Sequence, residues 1–316
     1  MNSAKIFIDG QEGTTGLKIR ERLVGRTDFE LLEIDPLKRK DEAARRNCLS
    51  SADIAILCLP DEAARQAFEF VDRGSTRLID ASTAHRVAAG WVYGLPELSS
   101  SHREAIRSAR YVANPGCHAT AFALGLYPLI VQGILGRDYP IFSNSLTGYS
   151  GGGKKVIAKV ESVGPASLWG MRPYALTLKH KHLPEMQHVL GLEFPPGFMP
   201  ILGPFFQGMI VSTLLESRLL SRRVTASDLH EILASYYAGE HFVRVMPFES
   251  KAFLDEGYLS PLECNDTNRA EVFVFGHDSQ VLIAVRLDNL GKGASGAAVQ
   301  SLNLMLDRPE EMGLIS

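Results

Sequence analysis

Lys5-Ile6-Phe7-Ile8-Asp9-Gly10-Gln11-Glu12-Gly13-Thr14-Thr15-Gly16 is the stretch whose reading decides the fold. A short apolar run that closes on glycine suits a strand buried on both faces of a parallel sheet. The G-x-x-G-x-x-G beginning at Gly10 joins that strand to a helical stretch, Thr15–Val24. In such a loop the first glycine permits a tight turn and the second lets backbone approach a pyrophosphate. The third lets helix pack on strand, and the helix N-terminus then faces the phosphates. Glycine triples end many strands; position gives this one its weight, because it fills the first strand–helix turn of an alternating chain. We read it as a dinucleotide cradle.

The alternation continues outward. Phe29–Ile34, Asp53–Leu59, Arg77–Asp80 and Tyr111–Ala113 read as strands, with a surface loop and helix at Asp35–Arg46. Pro60 stops the most apolar of these runs, and Asp61-Glu62 opens a helix with acids where its dipole favours them. Strands alternating with helices imply right-handed crossovers and a doubly wound sheet. After about residue 120 the pattern changes. An apolar helix, Ala119–Val131, leads to wider-spaced strands at Ile141–Ser145, Gly208–Glu216, His241–Met246, Ala270–Phe275 and Val281–Leu287. Gly276-His277-Asp278-Ser279 joins the last two as a hairpin, and Gly151-Gly152-Gly153 reads as a loop. A final helical segment, Gly293–Leu306, is long enough to return to the first domain. The expected fold class is α/β: a Rossmann-type parallel sheet domain plus an α+β catalytic domain with a mixed, largely antiparallel sheet. The expected boundaries are 1–117 for the dinucleotide domain, joined by the C-terminal helix at about 290–316, and 118–289 for the catalytic and oligomerisation domain.

Composition agrees with two such domains and removes several function classes. The chain has 316 residues, and 33 Lys+Arg against 36 Asp+Glu leave a net charge of −3. Near-neutrality argues against nucleic acid or an anionic membrane as partner. A hydrophobic fraction of 45% with 22% charged residues excludes a disordered chain. Cys48, Cys58, Cys117 and Cys264 are scattered, with no Cys-x-x-Cys, so neither a disulfide framework nor structural zinc is expected. Met1-Asn2-Ser3-Ala4-Lys5 lacks a signal-peptide layout, and no run approaches the ~18 apolar residues of a membrane span. The expectation is a cytoplasmic, globular protein with reduced thiols.

Asn114-Pro115-Gly116-Cys117 places a cysteine after a turn and at the start of an apolar helix. Backbone N–H groups and the helix dipole favour the thiolate there, which is how a nucleophilic cysteine is made. Cys58, inside an apolar strand, reads as a small buried hydrophobe. A thiolate doing acyl chemistry needs a proton carrier near neutral pH, and His180-Lys181-His182-Leu183-Pro184-Glu185 offers two rings on one face of an extended segment. Pro184 suits a first helical turn, and Glu185 suits ring orientation or the dipole. No further Cys/His/Asp cluster lies near them in sequence, so no metal is expected. The cofactor type has two signals. Asp35, 19 positions after Gly16 (35 − 16), sits near the ~20 of a ribose-binding acid and favours NAD. Lys38, Arg39 and Lys40 follow at once and suit the 2′-phosphate of NADP, to which the reading leans.

These motifs resemble those of the N-acetyl-gamma-glutamyl-phosphate reductases of arginine biosynthesis. The likeness rests on Asn-Pro-Gly-Cys117 and on His180–Glu185, which is similar to that family's His-Arg-His-x-Pro-Glu. It extends to Gly148-Tyr149-Ser150-Gly151, to Tyr93-Gly94-Leu95-Pro96-Glu97-Leu98, to Asp288–Gly296 and to the glycine loop. Length and Asp80-Ala81-Ser82-Thr83-Ala84-His85-Arg86 look most like the shorter (type 2) branch. The chain departs in two places: His118-Ala119 replaces the commoner branch's Tyr-Pro, and Asp35-Pro36 replaces its serine-arginine.

The resemblance implies NADP-dependent reductive dephosphorylation of N-acetyl-L-glutamyl 5-phosphate to the 5-semialdehyde through a thioester on Cys117. His180 would carry the proton, with His182 as second choice. Cofactor contacts would come from Gly10, Gly13, Thr14, Thr15, Gly16, Asp35, Lys38, Arg39, Cys58, Pro60, Ser82, Thr83 and Asn289. Substrate contacts would come from Arg86, Asn114, Tyr149, Ser150, Arg172 and Glu185; Trp91 and Trp169 read as packing residues. Partners would be the small substrate, inorganic phosphate and further copies in a homodimer or homotetramer. Competing readings are an aspartate-semialdehyde dehydrogenase, a reductase of carrier-bound amino acids in lysine biosynthesis, a dehydrogenase without a covalent step, and a non-catalytic dinucleotide sensor.

Overall fold

Side chains alternate across a strand, so an apolar run of consecutive residues requires cover on both faces. The computed structural model, which describes residues 3–71, 74–249 and 251–316, supplies it. Met1 and Asn2, part of the stretch read for a targeting signal, lie outside the described residues. The first unit, Met1–Gly116 with Ala294–Leu314, runs β1 (Ala4–Asp9), α1 (Thr14–Leu23), β2 (Phe29–Leu32), α2 (Glu42–Ser51), β3 (Ile54–Leu57) and α3 (Asp61–Val71). It continues through β4 (Arg77–Asp80), β5 (Val92–Tyr93), α4 (Ser100–Ser108) and β6 (Tyr111–Ala113). The strand order is β2-β1-β3-β4-β6-β5, and every neighbouring pair is parallel.

The alternation is visible in the two cores. Ile6, Ile8, Ile54 and Ile56 face Ile19 and Leu23 of α1, Ile106 of α4, and Ala298 and Leu302 of the C-terminal helix Gly296–Met305. Phe7, Ala55 and Leu57 face the other way, onto Leu49 of α2 and Ala67 and Val71 of α3. Burying each large side chain is worth roughly 1.5–3 kcal/mol, so these layers hold β1, an interior strand of the sheet, whose carboxyl end leads into the glycine loop. At the end of β1, buried Asp9 accepts from Arg45 at 2.8 Å, a charge pair sealed between β1 and α2.

The second unit, Cys117–Gly293 with Ile315–Ser316, contains α5 (Cys117–Val131), β7 (Phe142–Thr147), α6 (Gly153–Glu161), β8 (Arg172–Pro173), α7 (Leu183–Leu190) and β9 (Gly197–Leu202). Then come β10 (Met209–Glu216), α8 (Ala226–Tyr236), β11 (Val243–Val245), β12 (Ala270–His277) and β13 (Gln280–Leu287). Its sheet, ordered β11-β12-β13-β10-β7-β9-β8, is mixed and largely antiparallel; only β11/β12 and β7/β9 run parallel. α5 is apolar on every side and buried along nearly its whole length. It lies against β10, β12 and β13 and against α7 and α8. A Cβ at Gly125 would meet Val285 and Ile283 at 3.1 and 3.2 Å, so glycine there sets how close the helix lies to β13.

Several elements depart from the sequence reading. α5 begins at Cys117 instead of Ala119, which puts the cysteine itself in the first helical turn. Gly151-Gly152-Gly153 is no plain loop: a single 3₁₀ turn, Tyr149–Gly152, runs directly into α6. β5 and β8 are too short to show a period. β9 carries Pro200, which cannot donate to a ladder and so argues against a strand in sequence. Among the described residues no helix is long and apolar enough to cross a membrane.

Gly10 and Gly25 give a matched test of what the loop demands. Both have positive φ, +84° and +86°, but a Cβ at Gly10 would sit 2.4 Å from the Cys58 carbonyl oxygen, while Gly25 has open space. Gly10→Ala should therefore cost about 2–4 kcal/mol, strain plus overlap, and Gly25→Ala only about 1 kcal/mol. Thermal unfolding of the two variants checks this; equal losses would contradict it.

Candidate active site

The second unit gathers its chemistry around the start of α5. Cys117 is half-buried there, after the Asn114-Pro115-Gly116 turn. That turn is held in the first unit: Arg86 Nε donates to the Asn114 carbonyl at 3.0 Å, and Asn114 Nδ2 donates to the Ala294 carbonyl at 3.0 Å. Gly293 closes on the cysteine from the other side of the chain, where a Cβ would lie 2.6 Å from Cys117 Cβ. Its N–H donates to the Asp288 carbonyl at 2.9 Å, which fixes the turn leading into a π-helical segment, Gly291–Ser295.

His118, which the sequence reading passed over, is the centre of the polar cluster. It is 3% exposed, with Nδ1 3.0 Å from Ser145 Oγ and Nε2 2.9 Å from Tyr174 Oη. One nitrogen donates and the other accepts, so a single neutral imidazole satisfies both hydroxyls. Burial, with the charges of His180 and Lys181, pushes His118 down to about 3 from its ordinary 6.5. Its ring meets those of His180, His182 and Phe198 at 5.2, 5.3 and 5.2 Å.

The extended segment expected at His180–His182 is instead a turn: His182 has helical backbone angles, φ −88° and ψ −8°, and directly precedes α7. It is buried, and its Nε2 lies 3.9 Å from Oε1 of Glu185, itself 1% exposed. The His182 N–H donates to His180 Nδ1 at 3.2 Å, so a neutral His180 carries its proton on Nε2. Donor atoms of Cys117, His118 and His182 all lie within 4.8 Å of one another. No third donor stood beside His180 and His182 in sequence; the fold supplies Cys117 and His118 to His182.

The other residues of the second unit sort by what they touch. Asn289 is buried and ties loops together: Oδ1 accepts from the Gly208 N–H at 2.8 Å and Nδ2 donates to Ser150 Oγ at 3.0 Å. Tyr149 turns its ring into an apolar cluster with Val160 and Trp169. Arg172 stacks its guanidinium 3.8 Å from the centre of Trp169 and stays exposed.

In the first unit, Gly13 precedes α1 as its N-cap without a side-chain hydrogen bond, and the first turn of α1 carries no acid. Its opening N–H groups and positive dipole end are thus available to an anion, and the glycine loop before it fits a dinucleotide pyrophosphate. Cys58 contributes its carbonyl to the loop's packing, while burial and the carboxylates of Asp80 and Asp9 push its thiol well up, away from reactivity. The Pro60 carbonyl accepts from Ala64 N–H at 2.9 Å as α3 starts. Ser82 Oγ donates to Asp80 at 2.7 Å, and Thr83 donates through its backbone and hydroxyl to Asp61. Buried Asp80 also holds His85 Nδ1 at 2.6 Å, and His85 stacks on Trp91. Asp35 turns its carboxylate to the Leu37 N–H at 2.9 Å, and Lys38 is exposed. Arg39 pairs with Glu12 of the glycine loop.

Comparison with known proteins agrees with this division. Residues 16–109 match the family model for the semialdehyde dehydrogenase NAD binding domain, and residues 117–289 match that for the semialdehyde dehydrogenase dimerisation domain. The solved aspartate semialdehyde dehydrogenase II of Vibrio cholerae superposes with a TM-score of 0.73 at 15% identity, over 97% of this chain and 99% of that one. A Candida albicans aspartate semialdehyde dehydrogenase, solved with NADP, gives 0.70 at 14% identity, over 96% and 98%. Fold and site thus define an enzyme of the semialdehyde dehydrogenase class, built around a nicotinamide cofactor domain. The curated N-acetyl-gamma-glutamyl-phosphate reductase 2 of Nostoc sp. is 49% identical, over 99% of this chain and all of its own length. The Burkholderia ambifaria N-acetyl-gamma-glutamyl-phosphate reductase is 46% identical over 95% of this chain and 96% of its own. The chain belongs to the N-acetyl-gamma-glutamyl-phosphate reductase family.

His118 makes folding depend on pH in a stated direction. Unfolded, it takes a proton near its ordinary 6.5; folded, it resists until about 3. Stability is therefore full above pH 6.5 and falls as pH drops toward 3, by up to about 1.4 kcal/mol per pH unit. Half-buried His102 adds a slope of the same sign, so the comparison is with His118→Gln. The stability measured by denaturation should fall more steeply between pH 6.5 and 4.5 for the wild type than for the variant; parallel curves would contradict the assignment.

Proposed function

We propose that the chain reduces N-acetyl-L-glutamyl 5-phosphate to N-acetyl-L-glutamate 5-semialdehyde, releasing inorganic phosphate, with NADP as cofactor and a thioester on Cys117. The observation that carries this reading is the meeting of the Cys117 sulfur with ring nitrogens of His118 and His182, within 4.8 Å, at the start of a buried helix. The thiolate is favoured at that helix start and attacks the acyl carbon. A C–S bond forms as the C–O bond to phosphate breaks, and phosphate leaves with the electron pair. When bound, the nicotinamide supplies a hydride equivalent to the acyl carbon. Backbone N–H groups of the first turn of α5 stabilise negative charge on the substrate oxygen. His182 gives that oxygen a proton and takes it back as the C–S bond breaks, which returns the thiolate.

His182 takes this role ahead of His180 because it belongs to the close group with the sulfur and has Glu185 to orient it. His180 and neutral His118 position its ring. Arg86 and Asn114 hold the turn before the nucleophile, and Ser150 with Asn289 holds the loop beside the Gly208 backbone. Arg172, an exposed cation steadied by an indole, suits the substrate carboxylate or phosphate.

NADP is preferred over NAD for two reasons. The Asp35 carboxylate is spent on its own turn, and Arg39 is drawn to the glycine loop by Glu12, with Lys38 adjacent. Assembly as a homodimer or homotetramer is supported by the dimerisation-domain match, and a cytoplasmic location by the four free cysteines, one of them the nucleophile.

Two outcomes follow. With N-acetylglutamate semialdehyde, phosphate and NADP as substrates, Cys117→Ser should lose at least about 10³-fold in kcat while still binding NADP. Retained turnover would overturn the covalent route, and turnover with aspartate semialdehyde instead would overturn the substrate. Arg39→Ala should raise the KM for NADP about tenfold or more and leave that for NAD unchanged, the equivalent of about 1.4 kcal/mol for one lost charged contact. Equal changes for both cofactors would refute the 2′-phosphate role.

A further inference from the structure

We propose that Cys117 Sγ and ring nitrogens of His118 and His182 form a reversible, inhibitory binding site for one borderline-soft divalent cation, with Zn²⁺ the best match. Three features of the site point the same way.

The first is distance. Tetrahedral zinc, with bonds of about 2.3 Å to sulfur and about 2.0–2.1 Å to nitrogen, wants its ligand atoms roughly 3.3–3.6 Å apart. The three donors already lie within 4.8 Å of one another. Closure therefore needs movements on the order of an ångström, within reach of side-chain torsions.

The second is donor chemistry. One thiolate and two imidazoles suit zinc, cobalt or copper far better than magnesium or calcium, which want oxygen. Three protein ligands also leave a fourth position open to water or substrate.

The third is what stands behind the ligands. A metal-bearing imidazole is oriented through its other nitrogen, by a hydroxyl, carbonyl or carboxylate. His118 has such a partner on either side, Ser145 Oγ at 3.0 Å or Tyr174 Oη at 2.9 Å, and keeps one whichever nitrogen turns to the metal. Buried Glu185, 3.9 Å from His182 Nε2, adds a negative charge that offsets part of the cation's.

Occupancy would tie the sulfur lone pair to the metal, and an acyl group could no longer reach it. The inhibition rests on Cys117 being the nucleophile; the binding does not, and the experiment separates the two. Reduced, chelator-treated full-length protein is titrated with ZnCl₂ by calorimetry, while iodoacetamide labelling of Cys117 and turnover are followed in parallel. The expected result is one Zn²⁺ per chain, Cys117 shielded from labelling, turnover lost, and both restored by EDTA. Cys117→Ser and His118→Gln should each weaken binding at least tenfold, the glutamine keeping hydrogen bonds to Ser145 or Tyr174. Absence of stoichiometric binding, or binding unmoved by both substitutions, would overturn the metal site and leave the proposed reaction untouched. Binding and shielding without loss of turnover would instead overturn Cys117 as nucleophile. Should either variant fail to fold, shielding of the wild-type thiol still decides the matter.

Discussion

A helix with no polar face has to lie inside the molecule, and α5 is such a helix. Its burial against β10, β12, β13, α7 and α8 fixes where its first residue stands, and that residue is Cys117. Most of what surrounds the sulfur follows from this packing. Gly293 has no side chain because the turn at 288–293 must pass against Cys117 Cβ. The next residue, His118, is carried inside with the helix whether or not water can follow, so the protein has to satisfy its ring.

The protein does so without a charge. An imidazolium in this position would be costly, since burial opposes it first and any positive charge at His180 or Lys181 adds to that cost. A neutral ring bridging Ser145 and Tyr174 costs little, because each polar atom finds a partner. The consequence for chemistry is a division among three histidines that share edges. His118 stays neutral and rigid, His180 accepts from the His182 backbone, and His182 alone combines closeness to the sulfur with a carboxylate at hand. The proposed acyl transfer draws on this closeness of a half-buried sulfur to a buried imidazole.

Much of this was legible in the chain, for reasons particular to each residue. The parallel sheet showed itself because β1 and β3 are covered on both faces and must be apolar throughout, as Ile6-Phe7-Ile8 and Ile54-Ala55-Ile56-Leu57 are. Cys117 was legible because Pro115-Gly116 announced a helix start. His118 was not, because a histidine beside a cysteine looks like a simple variation until the helix around it is seen to be buried. The warning lay in β7, where Ser143, Ser145 and Thr147 place hydroxyls at a period of two on a buried face. Tyr174 gave no signal at all: it sits in an irregular stretch with left-handed Ala175 and Leu178, where neither period applies. Strand order, with β10 between β13 and β7, belongs to long-range pairing that no local pattern encodes.

The account stands on one bond, from sulfur to acyl carbon, made before any reduction. Rapid mixing of the enzyme with N-acetylglutamyl phosphate in the absence of nicotinamide isolates it. The account predicts a burst of about one phosphate per active chain, together with an acyl adduct found by mass spectrometry on the peptide that carries Cys117. Phosphate release only when reduced cofactor is added, with no adduct on that peptide, would contradict it.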